Sequence, residues 1–488
     1  MKRLLTGLVS LVFCFGAFAG CSYRLSGDSE SGGDSALVGE IDFNAGYDYA
    51  DTLKIWVSNV DTEKEIINAF VGAFKEVYPN ITAEVEGVDS LDDQLVFNAG
   101  LDSMCDIFWV TPEDIALYRD YDIIAPLTPI IEQDPSFDIE NLNENSVRSC
   151  TDDGTLYVMP RDYNQVVMYY NVDMFDAAGV EYPSSTEAMS QEEFVQMLAD
   201  LKEGLLASDE TNSYGQAYKD CFTNSMDAAI LWDSLSWPIV KSFGGTIFDE
   251  EGNHLDEEGN MLFDSEETYQ AMRFAHDLVA DGYMGDPGTW STRDGTQFLM
   301  ETAPVYLHCR AKLTSITTST NTFHGLSNVG VAPCPDFGDD DTYYVGSGAT
   351  GYAMYSGSKH KTAAWLFLKF LVSERAQEEA SESGNLVPVV ESLIDDETAV
   401  WRRYTTDAFG EQYSNDPFVY RRDECFTHVR EFMQYVTPEY QGSMLDRLQN
   451  CYTDSIANVR SDPDTEIRGF ISKWAAQMRN YIEAGGNS

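Results

Sequence analysis

Any chemistry in this chain must come from scattered polar and aromatic residues, because the motifs of the familiar catalytic sites are missing. The six histidines show no H-E-x-x-H or paired spacing, and neither a G-x-S-x-G elbow nor a G-x-x-x-x-G-K-[ST] loop is present. Gly346-Ser347-Gly348-Ala349-Thr350-Gly351 satisfies G-x-G-x-x-G. A dinucleotide site needs a helix to open at once, whereas this stretch runs into Tyr352-Ala353-Met354-Tyr355, which alternates like a strand. The glycines read as a tight loop, with Ser347 and Thr350 as candidate contacts to a ligand. What remains is a set of hydrogen-bonding groups beside aromatic rings. Asn59 and Asp61 follow one apolar run, and Trp109, Thr111 and Glu113 follow another. Asp162, Tyr163 and Asn164 lie mid-chain, Trp232 and Trp237 bracket Asp233 to Ser236, and Trp290 stands near Arg293 and Asp294. Each has a plainer role open to it: Asp61 can cap a helix, and a tryptophan is most often simply packed. A pair of carboxyls set for glycoside hydrolysis needs a separation that counting acids cannot give, so that alternative stays open.

The elements that would position these residues are legible. Leu53 to Val57 is an apolar strand, and Thr62 with Glu65 forms a capping-box pattern ahead of Ile66, Phe70, Phe74 and Val77 at helical spacing. Ile81, Ala83 and Val85 alternate as a strand should. A helix over 90–99, the strand Asp106 to Trp109 and a helix started by Pro112 make a second unit. Two consecutive βα units predict an open α/β sheet, in which ligands sit beyond the carboxyl ends of strands. Asn59, Asp61, Trp109 and Glu113 fall at those ends. Trp56 and Trp365 lie inside regular apolar patterns and read as core.

The first 21 residues carry a different chemistry. Lys2 and Arg3 precede an apolar run from Leu4 to Ala19, too short for a comfortable membrane span, and the run stops at Phe18-Ala19-Gly20-Cys21. The segment resembles a bacterial lipoprotein signal, which implies cleavage before Cys21 and lipid on its thiol; an ordinary signal peptide is the alternative. Ser26 to Asp34 is a Gly/Ser/acid tract with too little apolar surface to fold, and reads as a solvated tether. The expected division is therefore a signal peptide over 1–20 and a lipidated cysteine with its linker over 21–49.

Composition narrows the partners. Among 488 residues, 82 acids face 30 bases, a formal charge of −52, which disfavours nucleic acid and anionic lipid as partners. Membrane contact is expected through the lipid alone, and a monomer is expected. The nine cysteines are far apart without C-x-x-C spacing, which argues against a zinc site or a disulfide framework, though one or two disulfides stay open. No metal and no cofactor is expected.

A middle passage is the most distinctive. Gly154 to Pro160 leads through Arg161-Asp162-Tyr163-Asn164 to Val166 to Asn171, a strand, a bend and a strand, and then to a short helix stopping at Gly179. Ser190 and Glu193 cap the helix that follows. Together with Phe243-Gly244-Gly245-Thr246-Ile247-Phe248-Asp249, Phe263-Asp264-Ser265 and Gly357 to Leu371, this resembles the extracellular solute-binding proteins of ATP-binding-cassette importers, in the large carbohydrate-binding family that includes maltose-binding protein. The family's Thr-Trp before the capped helix is absent, and its Gly-Lys-Ala-Ala-Met passage survives only as Met300 to Pro304.

The resemblance implies a two-lobed α/β clamshell with a hinge and an interlobe cleft. One lobe would hold 50–160 and about 300–355. The other would hold 172–290, with C-terminal helices from about 360 to 488. It further implies that a sugar is captured unaltered and delivered to permease subunits, without catalysis, outside the cytoplasm. A pyranose has a polar rim and two C–H faces, so it needs flat rings and hydroxyl-holding groups. Asn59, Asp61, Trp109, Glu113, Asp162, Tyr163, Trp237, Trp290 and Ser347 are the expected contacts. The alternatives are a surface-anchored glycan hydrolase and a binding or adhesion lipoprotein without a transporter.

Overall fold

One strand organises the molecule. Val158–Asn171 is a single 14-residue strand in which every residue is buried, so the expected bend does not interrupt it. A computed structural model describes residues 40–152, 154–227, 233–249, 253–285, 295–317, 325–326, 328–338, 343–381, 386–396 and 445–483. Cys21, the leader, the tract from Ser26 to Asp34, Trp232, Trp290, Arg293 and Asp294 lie outside the described residues, but residues 40–49, expected as linker, pack on the body: Ile41 is buried in the core, the Asp42 N–H donates to Thr362 Oγ1 at 3.0 Å, and Lys361 pairs with Glu40 at 2.6 Å.

The strands run in chain order as β1 (Asp51–Ser58), β2 (Ile81–Val88), β3 (Ile107–Val110), β4 (Thr151–Asp152), β5 (Thr155–Leu156), β6 (Val158–Asn171), β7 (Met226–Asp227), β8 (Val305–Cys309), β9 (Val329–Pro333) and β10 (Ser347–Met354). Eight of them form one sheet, with the path β2-β1-β3-β10-β6-β8-β7 and β9 also on β6. β1 pairs in parallel with β2 and β3, and β10 returns antiparallel between β3 and β6. The first part of β6, Val158 to Gln165, pairs with β10, and Val166 to Asn171 then pairs with β8 and β9. β6 thus belongs to both halves of the sheet and changes partners between Gln165 and Val166.

The helices used below are α1 (Asp61–Val77), α2 (Leu91–Asn98), α3 (Glu144–Ser149), α4 (Gln191–Ala207), α5 (Asp233–Ser242), α6 (Glu266–Ala280), α7 (Lys361–Leu371), α8 (Glu374–Ser381), α9 (Leu445–Ala457) and α10 (Pro463–Glu483). α1 packs on β1 and β2 and buries Ile66, Phe70 and Phe74 of the predicted stripe together with Ile67, while Val77, the stripe's last residue, is half-buried. Its start differs from expectation. The N-cap is Val60 with no side-chain bond, so Thr62 and Glu65 lie inside the helix rather than forming a box. The box at Ser190 and Glu193 does form, and Gly179 ends the helix Val172–Ala178 in the left-handed region.

Two assignments of segments to halves are corrected. β8 and β9, within 300–355, pair with the second part of β6, and only β10 returns to the first half. α7 packs on α1, β1, β6 and β10, and α8 packs on α1, so 361–381 joins the first half through its apolar face. α9 and α10 pack on α6, in the second half. Gly346 to Gly351 is not a loop, since β10 begins at Ser347 with a register shift between Thr350 and Gly351. A Cβ at Gly351 would come within 2.4 Å of the Met159 carbonyl oxygen, so only glycine fits that close pass. Trp56 and Trp365 are core as expected, and their indole N–H groups donate to Glu86 (3.0 Å) and Asp134 (2.8 Å).

The first part of β6 carries a buried charge cluster. The Arg161 guanidinium donates to Asp162 Oδ2 at 2.8 and 2.6 Å and also pairs with Glu63 at the start of α1. The Thr350 N–H and hydroxyl donate to Asp162 Oδ1 at 3.2 and 3.0 Å. Burial raises the Asp162 carboxyl, and Arg161 offsets part of that rise. Arg161→Met would leave two carboxylates facing each other without a cation. It should cost about 3–5 kcal/mol at pH 7.5 in urea denaturation. The Asp162 carboxyl, already raised by burial, would lose the cation that offsets the rise and bind its proton more readily in the native than in the unfolded state. Stability relative to the parent should therefore recover as pH falls toward 5. A variant as stable as the parent at pH 7.5 would refute this account of the cluster.

Candidate functional site

Strand direction fixes where a ligand can sit. β1 and β3 run in parallel and end at Ser58 and Val110. Val110 pairs with Gly351 of β10, close to the Asp162–Thr350 pairing, so these carboxyl ends point toward the place where β6 crosses. From the other half, β8 and β9 run against β6 and end with Cys309 opposite Val166 and Pro333 opposite Val167. β7 is parallel to β8 and ends on the same side. The carboxyl ends of five strands therefore converge on the switch point of β6, where open α/β sheets bind ligands.

A cavity of about 750 Å³ takes its lining from both halves, within the size range of small-molecule sites. Arg148 comes from α3, which packs on β6, and Lys241 and Ser242 come from the end of α5. Phe243 to Thr246, Phe248 and Asp249 supply the loop after α5, and Tyr344 lies on the segment between β9 and β10. Gly244 has φ +84, and a Cβ on Gly245 would lie 2.8 Å from Val240 Cγ1, so the loop folds back tightly on α5 only because both are glycine. Phe248 rests 5.8 Å from the Trp237 ring. A larger groove of about 990 Å³, lined only by residues 178–207, sits on the surface of one half with five glutamates and one aspartate around it.

The expected contacts fare unevenly. Asn59 is exposed; its Nδ2 donates to Asp89 (2.9 Å) and its Oδ1 accepts from Lys64 (3.1 Å). Asp61 opens α1 with its side chain 94% exposed, and Lys64 at 2.8 Å holds its carboxyl below the usual range. Trp109 is half-buried in β3, and its indole N–H is buried with no hydrogen-bond partner among the described residues. Glu113 lies in the turn Pro112–Asp114 and Ser347 opens β10 opposite Gln165, but their side chains lie outside what the structure describes. Asp162 and Tyr163 do not offer themselves as ligand contacts. Asp162 is 1% exposed with its oxygens taken by Arg161 and Thr350, and Tyr163 is wholly buried. Trp237 is 2% exposed and belongs to the wall behind the cavity.

Arg148, Lys241 and Tyr344 were not found from sequence. The Phe243-Gly244-Gly245 passage beside Lys241 was the available signal, and it was used only for resemblance. Other polar groups are buried near the change of partners on β6. His308 Nδ1 accepts from the Cys309 N–H at 2.8 Å, and burial, with Lys312 nearby, lowers the imidazole to about 3, so it stays neutral. Asn164 and Gln165, each 2% exposed at the switch point, bury side-chain oxygens without partners among the described residues. The six cysteines described, Cys105, Cys150, Cys221, Cys309, Cys334 and Cys451, form no disulfide. No cluster with metal-ligand composition occurs among the described residues.

Asp114 follows β3 and accepts from the Thr111 hydroxyl at 2.9 Å. Burial first, then the Asp92 charge, push it up to about 6, against the pull of Thr111. Its ionised form therefore costs stability above pH 6, and the cost vanishes below the unfolded value near 4. Asp114→Asn should raise stability by about 1–2 kcal/mol at pH 7.5, after allowance for partial exposure. Thermal melts should show the gain fading as pH falls from 7 to 4; a gain that does not change with pH would rule out this cause.

Three comparisons bear on this geometry. The family model described as bacterial extracellular solute-binding protein matches residues 69–407. A putative binding protein of Brucella abortus is 23% identical over 238 residues, 49% of this chain and 51% of that protein; the chain thus spans about half the length of the curated relatives it matches. An ABC substrate-binding protein of Listeria monocytogenes, solved in complex with cycloalternan, superposes with TM-score 0.63 and 19% identity, covering 88% of this chain and 99% of that one. An ABC transporter solute-binding protein of Thermotoga lettingae bound with α-D-tagatose does so with TM-score 0.63 and 15% identity, covering 88% and 99%. This likeness fixes the fold as the two-lobed α/β architecture of periplasmic binding proteins.

Proposed function

Because the chain belongs to the family of bacterial extracellular solute-binding proteins, we propose that it captures a carbohydrate between its halves and delivers it unaltered to the permease of an ATP-binding-cassette importer. The observation that carries this reading is the cavity lined by Arg148 of α3, by Lys241 to Asp249 at and after the end of α5, and by Tyr344 ahead of β10. The structural neighbours bound with tagatose and cycloalternan support the ligand class and the transporter.

The mechanism needs binding and movement only. A ligand seated on one half recruits the other by rotation about the crossing strands, as hinged clamps do. What it must supply is a difference in affinity between open and closed forms, because a ligand that binds both equally shifts nothing. Phe243, Phe248 and Tyr344 provide aromatic surface, and Trp109 an indole N–H still open to a hydroxyl. Asn59 and Asp61 lie at the β1 end of the same convergence and serve its rim.

Calorimetry with a panel of oligosaccharides should give a saturable signal, with the sugar recovered intact by chromatography. Trp109→Ala should weaken binding roughly 10- to 30-fold with little change in melting temperature. Steady release of reducing ends would instead favour a glycan hydrolase.

Anchoring is proposed through Cys21, with the Gly/Ser/acid tract from Ser26 to Asp34 as the tether that holds the body clear of the headgroups. Cys21→Ser should move the protein from the membrane fraction to the medium. Retention in the membrane would count against this anchor.

A further inference from the structure

Lys241 is an oddity in this chain. It sits at the end of α5 on the wall of the cavity, its ammonium 4.7 Å from the centre of the Tyr344 ring and 5.8 Å from that of Trp237. Contact with an aromatic face steadies a cation but occupies none of its three N–H donors. Among the described residues no carboxylate and no carbonyl pairs with it. Arg148, which also lines the cavity, bonds the Asn145 amide oxygen at 3.5 Å and no carboxylate among the described residues. The acid that lines the cavity, Asp249, is engaged by the backbone N–H of Asn253 at 2.7 Å and by its side-chain amide at 3.0 Å. Burial lowers the Lys241 ammonium, and the Arg148 charge lowers it further, so the two cations feel each other.

Several described bases elsewhere are paired with acids, while Lys54, Lys202 and Arg310 bond to backbone carbonyls. Arg161 lies against Glu63 and Asp162, Arg273 against Asp277 and Asp464, Lys369 against Asp134, and Arg468 against Glu266. With 82 acids and 30 bases in the chain, carboxylates are in ample supply. Lys241, half-buried, and Arg148, exposed, border one cavity without a described carboxylate partner, and the buried Lys241 charge costs stability unless something negative enters. Aromatic surface from Phe243, Phe248 and Tyr344 in the same space suits the C–H face of a ring.

We propose that the cavity selects a carbohydrate bearing an anionic group, a carboxylate or a phosphate, held by Lys241 and Arg148. The inference rests on the reading of this cavity as the capture site. Lys241 would act as a point charge on its aromatic cushion, and Arg148 would bring the planar fork that suits two oxygens of one anion. A neutral sugar of the same size would leave both cations unanswered in the closed form.

The test uses the mature protein with three probes in calorimetry: galacturonic acid oligomers, a hexose 6-phosphate and neutral glucose oligosaccharides. An acidic probe should bind more tightly than the neutral ones and weaken as sodium chloride is raised. Lys241→Gln and Arg148→Gln should each reduce that binding roughly 10- to 100-fold, as expected for hydrogen bonds to a charged group. Removing a half-buried, unpaired charge should leave the melting temperature of Lys241→Gln no lower than the parent's, which separates lost binding from lost folding. Oligomer against phosphate then tells which anion is preferred. Neutral oligosaccharides binding with affinity unchanged in both variants, while neither acidic probe binds, would overturn the anionic class and leave sugar capture standing. Binding of none of the three would count against carbohydrate capture itself.

Discussion

The molecule depends on a single desolvated contact, the Arg161 guanidinium held between Asp162 and Glu63. Arg161 and Asp162 sit in the strand that both halves of the sheet share, and Glu63 sits in the first turn of the helix that follows β1. Removing three charges from water is costly, and their mutual attraction offsets this only when the remaining lone pairs are met. Here they are met, because Thr350 of the returning strand supplies two donors to the Asp162 oxygen that Arg161 leaves free. One cluster therefore joins β6, β10 and α1. It fixes the start of α1, and with it the end of β1, against the crossing. The residues proposed for the rim are positioned by that link.

A strand shared by two halves has a weak place, and it lies where the partners change. Before Gln165 the neighbour is β10, and after Val166 the neighbours are β8 and β9. Asn164 and Gln165 stand at this change with buried oxygens that no described residue satisfies. Each such acceptor costs about 1–3 kcal/mol relative to a hydrogen-bonded one. The cost is localised where relative motion of the halves would be felt most, while the hydrophobic packing of each half, α1 and α7 on one side and α6 with α9 and α10 on the other, stays intact. Rotation at this point changes few contacts, which is the condition for a hinge rather than a general loosening.

Much of the architecture could be read from local pattern. The stripe of Ile66, Phe70 and Phe74, the alternation of Ile81, Ala83 and Val85, the capping box at Ser190 and the stop at Gly179 are properties of neighbouring residues, and all are found in the structure. Failures arose where a local pattern had two readings. Thr62 with Glu65 looks like a capping box, but the helix starts one residue earlier than Thr62, at Asp61, with Val60 as its cap. Asp162 and Tyr163 look like a polar bend, but their polarity is spent inside a continuous strand. Trp237 is aromatic and near acids, but its area is buried behind the cavity. The cavity itself was not legible. Arg148 and Lys241 are far apart in sequence and come to border one cavity only in the folded chain, and a lysine without a carboxylate partner looks like any other lysine in a string of letters.

The charge of the whole chain and that of its cavity pull in opposite directions, and their ranges decide the outcome. A surface with so large an excess of acid repels an approaching anion and slows encounter. That field is screened over about 8–10 Å at physiological salt, so it is felt by a distant ligand only weakly. Inside the gap, Lys241 and Arg148 act at contact distance, with protein rather than water on several sides, and are screened far less. The favourable term thus acts after entry, where it lengthens residence, and the unfavourable term acts before entry, where salt removes most of it. On the proposal above, an acidic surface around a basic gap would admit anions slowly and hold them well once inside.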